Sequence, residues 1–462
     1  MKFVASTGGV AKPVGILQGP KGNIPISSIE VSLAVGTLPS CRIGLAPELL
    51  NEIPKEQTQD LYRVAVGDGS PEHTLFRGYV SGESGRVDGR GIMSGITLVH
   101  PARDMDEMRI SAPDLHPSGV NDFNYIYFGN NASATASGFM FSATPYYKAG
   151  GGPLASQILQ GLIGTLKSLG SADQRDFGFK IQSSAAAIKL LSQIKVKNGT
   201  LNAGFDSDFA PSINQWCQTQ ITGSFNSMRS IWDTVSSTLA RFGLMLNCDY
   251  DGNVYVLVDC TAMTPPAGNF LGENYVASFD HNSTLIRNIK EVNLLCDAMS
   301  VSEDSASTFA NSLVTYPKPG GKAAHGASLS LLMPGWLNPI AVKDSPKASV
   351  REAQRAYAQS QFYIERNKMK TMALAGPLAP QVVPGTTATI RPWSALHTFS
   401  GLSVDFLRKT YAGYCYQINH VMDAKTMTLQ TTFYFRNVTD VTANETIKKH
   451  PLFSDVKPHE WV

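Results

Sequence analysis

Residues 76–103 read FRGYVSGESGRVDGRGIMSGITLVHPAR, and about 330 residues later residues 411–436 read YAGYCYQINHVMDAKTMTLQTTFYFR. Both stretches open on a Gly-Tyr pair, Gly78-Tyr79 and Gly413-Tyr414. Each runs through a turn and closes on an apolar-alternating strand that ends in Arg103 or Arg436. Alternation with a period of two marks a half-buried strand, so each stretch reads as a long β-hairpin. The near-equal lengths set Ile96-Thr97-Leu98 close to Met427-Thr428-Leu429. A chain with two related modules can present twice its own symmetry to a partner, which points to an assembly part rather than a catalyst.

Working outward from the first hairpin, Ile29, Val31, Leu33 and Val35 share one face of a strand while Glu30, Ser32 and Ala34 share the other. Residues 61–66 and 74–80 continue the β pattern, with Gly-Asp-Gly-Ser-Pro at 67–71 as the turn between them. Residues 26–103 are therefore expected to form one small antiparallel barrel. Residues 1–25, with five Gly, three Pro and three Lys, read as an N-terminal arm or loop.

The texture changes at Asp104, where aromatic and small polar residues crowd together, and helical stretches follow near 153–169 and 184–196. Leu154, Ile158, Leu162, Leu166 and Leu169 put one apolar face on the first of these. Residues 104–212 read as an inserted α+β domain. In FNSMRSIWDTVSSTLARFG, Phe225, Met228, Trp232, Val235, Leu239 and Phe242 step by three and four towards Gly243, the spacing of a helix with its C-terminal stop. A hairpin with an Asp251-Gly252 turn follows, giving a helix-plus-hairpin domain over 213–285.

Residues 286–345 read as a β/linker segment. In 346–438 a helix carrying Val350, Ala353, Tyr357 and Ile364 along one side leads through Leu378 and Pro384-Gly385 into the second hairpin. Its last strand alternates Met427, Leu429, Thr431, Phe433 and Phe435 against Thr428, Gln430, Thr432, Tyr434 and Arg436, and reads as the edge or closing strand of a second barrel. Residues 439–462 form a polar tail with Phe453 and Trp461 as anchors, expected to dock on a neighbouring chain or a spike. The fold class is thus mainly β with α insertions (α+β): two small related antiparallel β-barrels plus helix-containing inserted domains.

With 462 residues and 43% hydrophobic content, the chain can bury several cores. Its 39 basic and 37 acidic residues leave a formal charge of +2, without the basic blocks that drive stable binding to phosphates. Six cysteines lie far apart with no Cys-x-x-Cys pair, and nine histidines show no His-x-x-x-His spacing, so neither a zinc site nor a disulfide framework is expected. The N-terminus lacks a continuous apolar run, which argues against a secretory signal and for a protein made and kept in a cytoplasm. The stretch 153–169 is interrupted by Gln157, Gln160 and Lys167, so no stable membrane insertion is expected.

In order, the features are an N-terminal barrel ending in Gly-Tyr-Val and Thr-Leu, a helix followed by an Asp-Gly hairpin, and an Arg/Ala helix leading to Leu378, Pro384-Gly385 and a closing Arg. Over residues 26–103, 213–260 and 345–437 this order resembles the tail hub family of phages, which includes the baseplate hub of contractile tails and the hub portion of secretion-system spikes. The resemblance implies a homotrimer in which each chain contributes two barrels to a pseudo-six-fold ring. Such a ring would join the hexameric tail tube to the central spike and leave a channel for DNA. Implied partners are the tail tube or distal tail protein, the central spike or tip protein and the tape measure protein, with DNA only in transit and the virion tail baseplate as the location. The chain departs from the pattern in its long, aromatic 104–212 region, and in Thr261-Ala-Met-Thr-Pro-Pro, where no glycine marks a break after the hairpin.

Two other functions are weighed against this. A tail-associated peptidoglycan hydrolase needs two carboxylates flanking a cleft, and His100, Asp104, Asp106 and Glu107 cluster in sequence, but they read better as a solvated strand exit. A carbohydrate-binding adhesin could use the aromatic run Phe123, Tyr125, Tyr127 and Phe128 to stack on sugars, but such a run is more often core or subunit interface. Asp249, Asp251 and Asn253 imitate the start of a calcium loop, but Val254 stands at the position that needs glycine and Cys260 at the one that needs glutamate. The expectation is a non-enzyme with no catalytic, cofactor or metal residues.

Overall fold

The computed structural model describes residues 14–53, 60–88, 91–107, 109–111, 125–128, 180–182, 195–196, 223–226, 230, 232–233, 236, 244–262, 269–271, 278–283, 289–296, 299–302, 305–309, 312–317, 326–333, 347–368, 370–390 and 410–440. The expected helix at 153–169, residues 184–194 of the second, residue Phe123 and the tail beyond Asp440 lie outside them, and Lys195-Val196, expected as the end of that second helix, form a strand instead.

Strands dominate. The N-terminal part holds β1 (Gly15–Gly19), β2 (Gly22–Ile26), β3 (Ser28–Ala34), β4 (Ser40–Leu45), β5 (Tyr62–Val66), β6 (Thr74–Asp88) and β7 (Gly91–Val99). Helix α1 (Arg103–Glu107) follows, then the short strands β8 (Arg109–Ser111), β9 (Tyr125–Phe128), β10 (Lys180–Gln182), β11 (Lys195–Val196) and β12 (Gly223–Asn226). The middle of the chain has the hairpin β13 (Leu244–Cys248) and β14 (Val254–Val258), then β15 (Asn269–Leu271) and β16 (Ser278–Ser283). Strands β17 (Ile289–Cys296), β18 (Met299–Ser302), β19 (Ser305–Phe309), β20 (Ser312–Tyr316) and β21 (Ala327–Met333) precede helix α2 (Lys347–Asn367). The chain then forms β22 (Lys370–Pro377), β23 (Thr386–Ile390), β24 (Tyr411–Asp423) and β25 (Thr428–Asp440).

Thirteen strands form one sheet, in the order β16-β22-β25-β24-β3-β4-β7-β6-β5-β1-β2, with β23 beside β24 and β15 beside β23. Its two halves repeat one topology. In chain order, β3, β4, β5, β6 and β7 lie as first, second, fifth, fourth, third, and β16, β22, β23, β24 and β25 lie in the same order. Every pairing within these two sets is antiparallel. The hairpin repeat read from sequence is therefore the visible part of a five-stranded unit. The first two strands of the first unit, β3 and β4, are joined by a short turn, whereas β17–β21 and α2 are inserted between the corresponding β16 and β22.

The register sharpens the match and corrects part of it. Tyr79 pairs with Val99 and Tyr414 with Arg436, so the two Gly-Tyr starts coincide. Each hairpin then carries a bulge two residues on, at Ser81 and at Tyr416, where one extra residue steps out of the ladder. Beyond the turns, Ile96 and Leu98 correspond to Phe433 and Phe435, all buried, and not to the neighbourhood of Met427. Met427 sits in the longer second turn at φ 54° and is 64% exposed. The closing Arg103 and Arg436 do not correspond either, since Arg103 lies past the strand in α1. The turn lengths differ by two residues, so a match made without the register slips after them.

The sequence underread three further elements. Residues 15–25, taken as arm, form with Ile26 the hairpin of β1 and β2. Pro20 presets its turn, Gly22 accepts φ +119°, and Leu17, Ile24 and Ile26 drive it into the core. Strand β25 is no edge, because β22 and β24 flank it. Phe225 belongs to β12, opposite Ile126 of β9, and not to a helix. The helical conformation there is described at Trp232, Asp233 and Ser236, and Ser230 Oγ accepts the N–H of Asp233 at 3.0 Å in the manner of an N-cap.

One core lies inside each half. The first gathers Leu17, Val31, Leu33, Phe76, Ile96 and Leu98 with their neighbours and also takes Leu378 and Met422 from the second half. The second is built on Leu374, Ile390, Cys415, Ile418, Phe433 and Phe435. In the first half the sheet path starts at β3 and ends at β2, two strands separated in the chain by Ser27 alone, so the sheet curls back to its own start as a strand does when it turns a barrel corner. No ladder closes either half into a barrel among the described residues. The observed architecture is β-rich, with a large, mostly antiparallel sheet and few helices.

Candidate functional site

The two halves meet along β3 and β24, which pair antiparallel from Gln417 opposite Ala34 to Asp423 opposite Ser28. On one face Ile29, Val31 and Leu33 meet Met422, His420 and Ile418, all buried, so the two cores adjoin across this seam. On the other face Ser32 Oγ donates to Asn419 Oδ1 at 2.9 Å, and Gln417 Nε2 donates to the same Asn419 oxygen at 3.0 Å. Backbone bonds from Val35 N to Tyr416 O and from Ala424 N to Ser27 O extend the seam at both ends. Cross-strand pairs of this kind are the unit of sheet stability, and here they join two copies of one topology within a chain.

The bulges sit beside the seam. A bulge raises local twist and re-aims its residue. Tyr416, stepped out at the bulge, stacks under the Arg436 guanidinium at 3.8 Å, a cation–π contact that holds the two strands of the second hairpin at that point. Gly78 lies where β6 leaves β5 and continues with β7 alone. A side chain there would collide with the Val99 carbonyl oxygen, so glycine is required by close backbone approach. Gly413 is the matching residue, with Phe435 against the same position.

The β13–β14 hairpin is fastened to both halves. Asp251 pairs with Arg77 at 3.3 Å, and Tyr250 packs on the first core. Asn247 Nδ2 donates to the Pro384 carbonyl at 3.1 Å, a buried bond to the second half. Within the turn, Asp249 Oδ1 accepts the N–H groups of Asp251 and Asn253 at 2.9 and 2.8 Å, and Oδ2 accepts Asn253 Nδ2 at 3.0 Å. The residues that imitate a calcium loop are therefore bonded to one another, with Gly252 at φ 85° closing the turn.

The His100 to Glu107 cluster separates in space. His100 is buried at the end of β7, where Nδ1 accepts the Ala102 N–H at 3.0 Å, and burial lowers its pKa to about 4 against the pull of Asp249. Asp106 and Glu107 lie on α1, both facing Arg103, at 3.4 and 3.3 Å. Asp106 also accepts Ser230 Oγ at 3.2 Å. Asp104 lies on α1, with its side chain outside the described residues. Of the aromatic run, Tyr125, Tyr127 and Phe128 form β9, paired with β12. Among the described side chains of α2, Tyr357, Ala358, Ser360, Phe362 and Asn367 are buried and Ile364 is half-buried, so Tyr357 of the expected stripe packs inward and Phe362 joins it. Among the described residues no three His, Cys, Asp or Glu side chains gather as a metal site, and no helix is long and apolar enough to cross a membrane.

The seam itself was not legible as a site, because the bulges beside it and the pairing of β3 with β24 appear only in the ladder register. These features define a duplicated, edge-joined β protein. No family model matches the sequence, and neither does any curated protein sequence. Among solved structures, the tail protein from Neisseria meningitidis MC58 is similar over 92% of this chain and 96% of its own, with a TM-score of 0.51 at 10% identity. The 43 kDa tail protein of prophage MuSo2 from Shewanella oneidensis aligns over 91% and 97%, with a TM-score of 0.48 at 9% identity. The prophage tail protein gp18 from Listeria monocytogenes EGD-e aligns over 93% and 95%, with a TM-score of 0.42 at 8% identity. The chain thus shares its fold with the Neisseria tail protein along nearly its whole length.

Proposed function

We propose that this chain is the structural hub of a phage tail baseplate or tail tip. Three copies close into a ring of six quasi-equivalent sheet halves, each half acting as one barrel module. The ring joins the hexameric tail tube or distal tail protein to the central spike, receives the tape measure protein, and leaves a channel through which DNA passes. Its work is binding, not catalysis, and its place is the virion tail.

The observation that carries this reading is the doubled five-stranded unit, joined edge to edge inside one chain. Closed cyclic assemblies repeat one contact with one rotation, and a chain that already contains two such units lets three copies meet a six-fold partner. The shared fold with a solved tail protein supports the setting. The near-neutral formal charge of +2 suits a wall that lets phosphates pass rather than holding them.

Class averages of the purified protein by negative-stain electron microscopy test the reading. The expected image is a three-fold ring with six lobes and an open centre. A compact monomer that persists with tube or spike partner present would overturn it. A zymogram on peptidoglycan is expected to show no clearing, and clearing would overturn the non-catalytic part.

A further inference from the structure

The seam between β24 and β3 has a counterpart with one side missing. By the register, residues 82–88 of β6 correspond to 417–423 of β24, and residues 278–283 of β16 correspond to 28–33 of β3. In the second half, 417–423 is flanked by β25 on one side and β3 on the other. In the first half, β5 leaves β6 at Gly78, and 82–88 has β7 on one side and no strand on the other among the described residues. Among the described residues β16 likewise pairs with β22 alone and ends the sheet path. Exposure agrees: Ser81 to Gly85 are all exposed, whereas the matching Tyr416 to His420 are half-buried or buried beneath β3.

We propose that the free edge of β6 at 82–88 pairs antiparallel with β16 of a second copy of this chain, repeating between chains the β24–β3 seam found within one. The proposal specifies the contact inside the ring described above and rests on that reading. A head-to-tail contact of this kind closes only as a ring or runs on as a fibre.

Transferring the seam's register sets Glu83 opposite Ser283, Ser84 opposite Asn282, Gly85 opposite His281, Arg86 opposite Asp280 and Val87 opposite Phe279. Three of these positions are complementary. The Ser84–Asn282 position exchanges the partners of the Asn419–Ser32 bond in the internal seam. The Arg86–Asp280 position opposes unlike charges, and the Val87–Phe279 position opposes two apolar residues, pairings that favour one register over its neighbours. The backbone direction also follows. Tyr416 O and Ala424 N face β3, so even-numbered residues of β24 point their backbone groups into the seam. Their counterparts in β6 are Glu83, Gly85 and Val87.

Disulfide trapping tests this in the full chain. In the transferred register Arg86 and Asp280 form a non-hydrogen-bonded pair, with Cα atoms about 4.5 Å apart, within reach of a disulfide. The double variant R86C/D280C, oxidised and run without reductant, is expected to give covalent dimers and a closed trimer and no longer products. R86C mixed with D280C should give cross-linked dimers only, and either single variant alone none. Gly85→Pro removes an outward N–H without touching the β7 ladder, so it should abolish oligomer formation while leaving the circular dichroism of the monomer unchanged.

An oligomer that forms by light scattering but does not cross-link at 86 and 280, or that survives Gly85→Pro, would overturn the proposed pairing and leave the ring reading standing. A chain that stays monomeric with tube or spike partner present and gives no cross-link would overturn both. Cross-linking that extends into open polymers would support the edge pairing and overturn the ring.

Discussion

Gly78 and Gly82 sit four residues apart on the same strand, and the structure asks opposite things of them. A β-carbon at Gly78 would strike the Val99 carbonyl, which is backbone and cannot swing aside, while at Gly82 it meets open space. Gly78→Ala is therefore expected to lower folding stability by about 1–3 kcal/mol, the usual penalty for overpacking. Gly82→Ala should change it by less than about 0.5 kcal/mol. Urea denaturation of the two variants measures this, and equal effects would refute it. His100 and His420 make a second residue-scale prediction. Burial lowers both pKa values to about 4 from the usual 6.5. Each imidazole Nδ1 is already bonded, His100 to the Ala102 N–H and His420 to Thr431 Oγ1. Between pH 6.5 and 4 the unfolded chain binds protons that the folded chain does not. Stability should therefore fall as pH drops through that window, by roughly 1 kcal/mol per pH unit for each histidine, with no such effect above it. His420→Asn should remove its share of the slope, and an unchanged slope would show that the folded-state pKa of His420 is not lowered.

At the scale of elements, the helix that follows Ser230 depends on a cap that also reaches α1. Ser230 Oγ accepts the Asp233 N–H and donates to Asp106, so Ser230→Ala is expected to cost about 1 kcal/mol. Denaturation followed through the buried Trp232 would report it. This is also where periodicity misled. Phe225 lies in phase with the helical stripe, yet its backbone bonds to β9, a strand about 100 residues earlier. A local pattern carries no information on such a partner, and tertiary pairing overrides it. The β1–β2 hairpin was overlooked for a related reason: Gly and Pro are frequent in loops, but here they make a two-residue turn between strands whose apolar residues have a core to enter.

For the whole molecule, the β3–β24 seam makes the two halves one cooperative body. Leu33 and Ile418 lie opposite each other, both fully buried, each in a different core. Leu33→Ala and Ile418→Ala should each cost about 2–5 kcal/mol and show a coupling of about 0.5–3 kcal/mol in a double-mutant cycle. Additive effects would mean that the halves are energetically separate. Because the first core also takes Leu378 and Met422 from the second half, near- and far-ultraviolet circular dichroism should report one coincident unfolding transition. Two resolved transitions would sink that expectation.

The sequence by itself determined the strands of the two long hairpins and of β3. Period-two alternation at Ile29 to Leu33 and at Thr431 to Phe435, the turn glycines, and the paired Gly-Tyr starts all depend on residues close in the chain, where backbone geometry and side-chain polarity act directly. Only the tertiary structure decided which strands adjoin. That β3 lies against β24, nearly 400 residues away, that the doubled unit has five strands rather than two, and that the edge at 82–88 has no strand beside it among the described residues follow from ladder hydrogen bonds. Those bonds join N–H and C=O groups that every residue except proline carries alike, so the amino-acid letters do not record their partners.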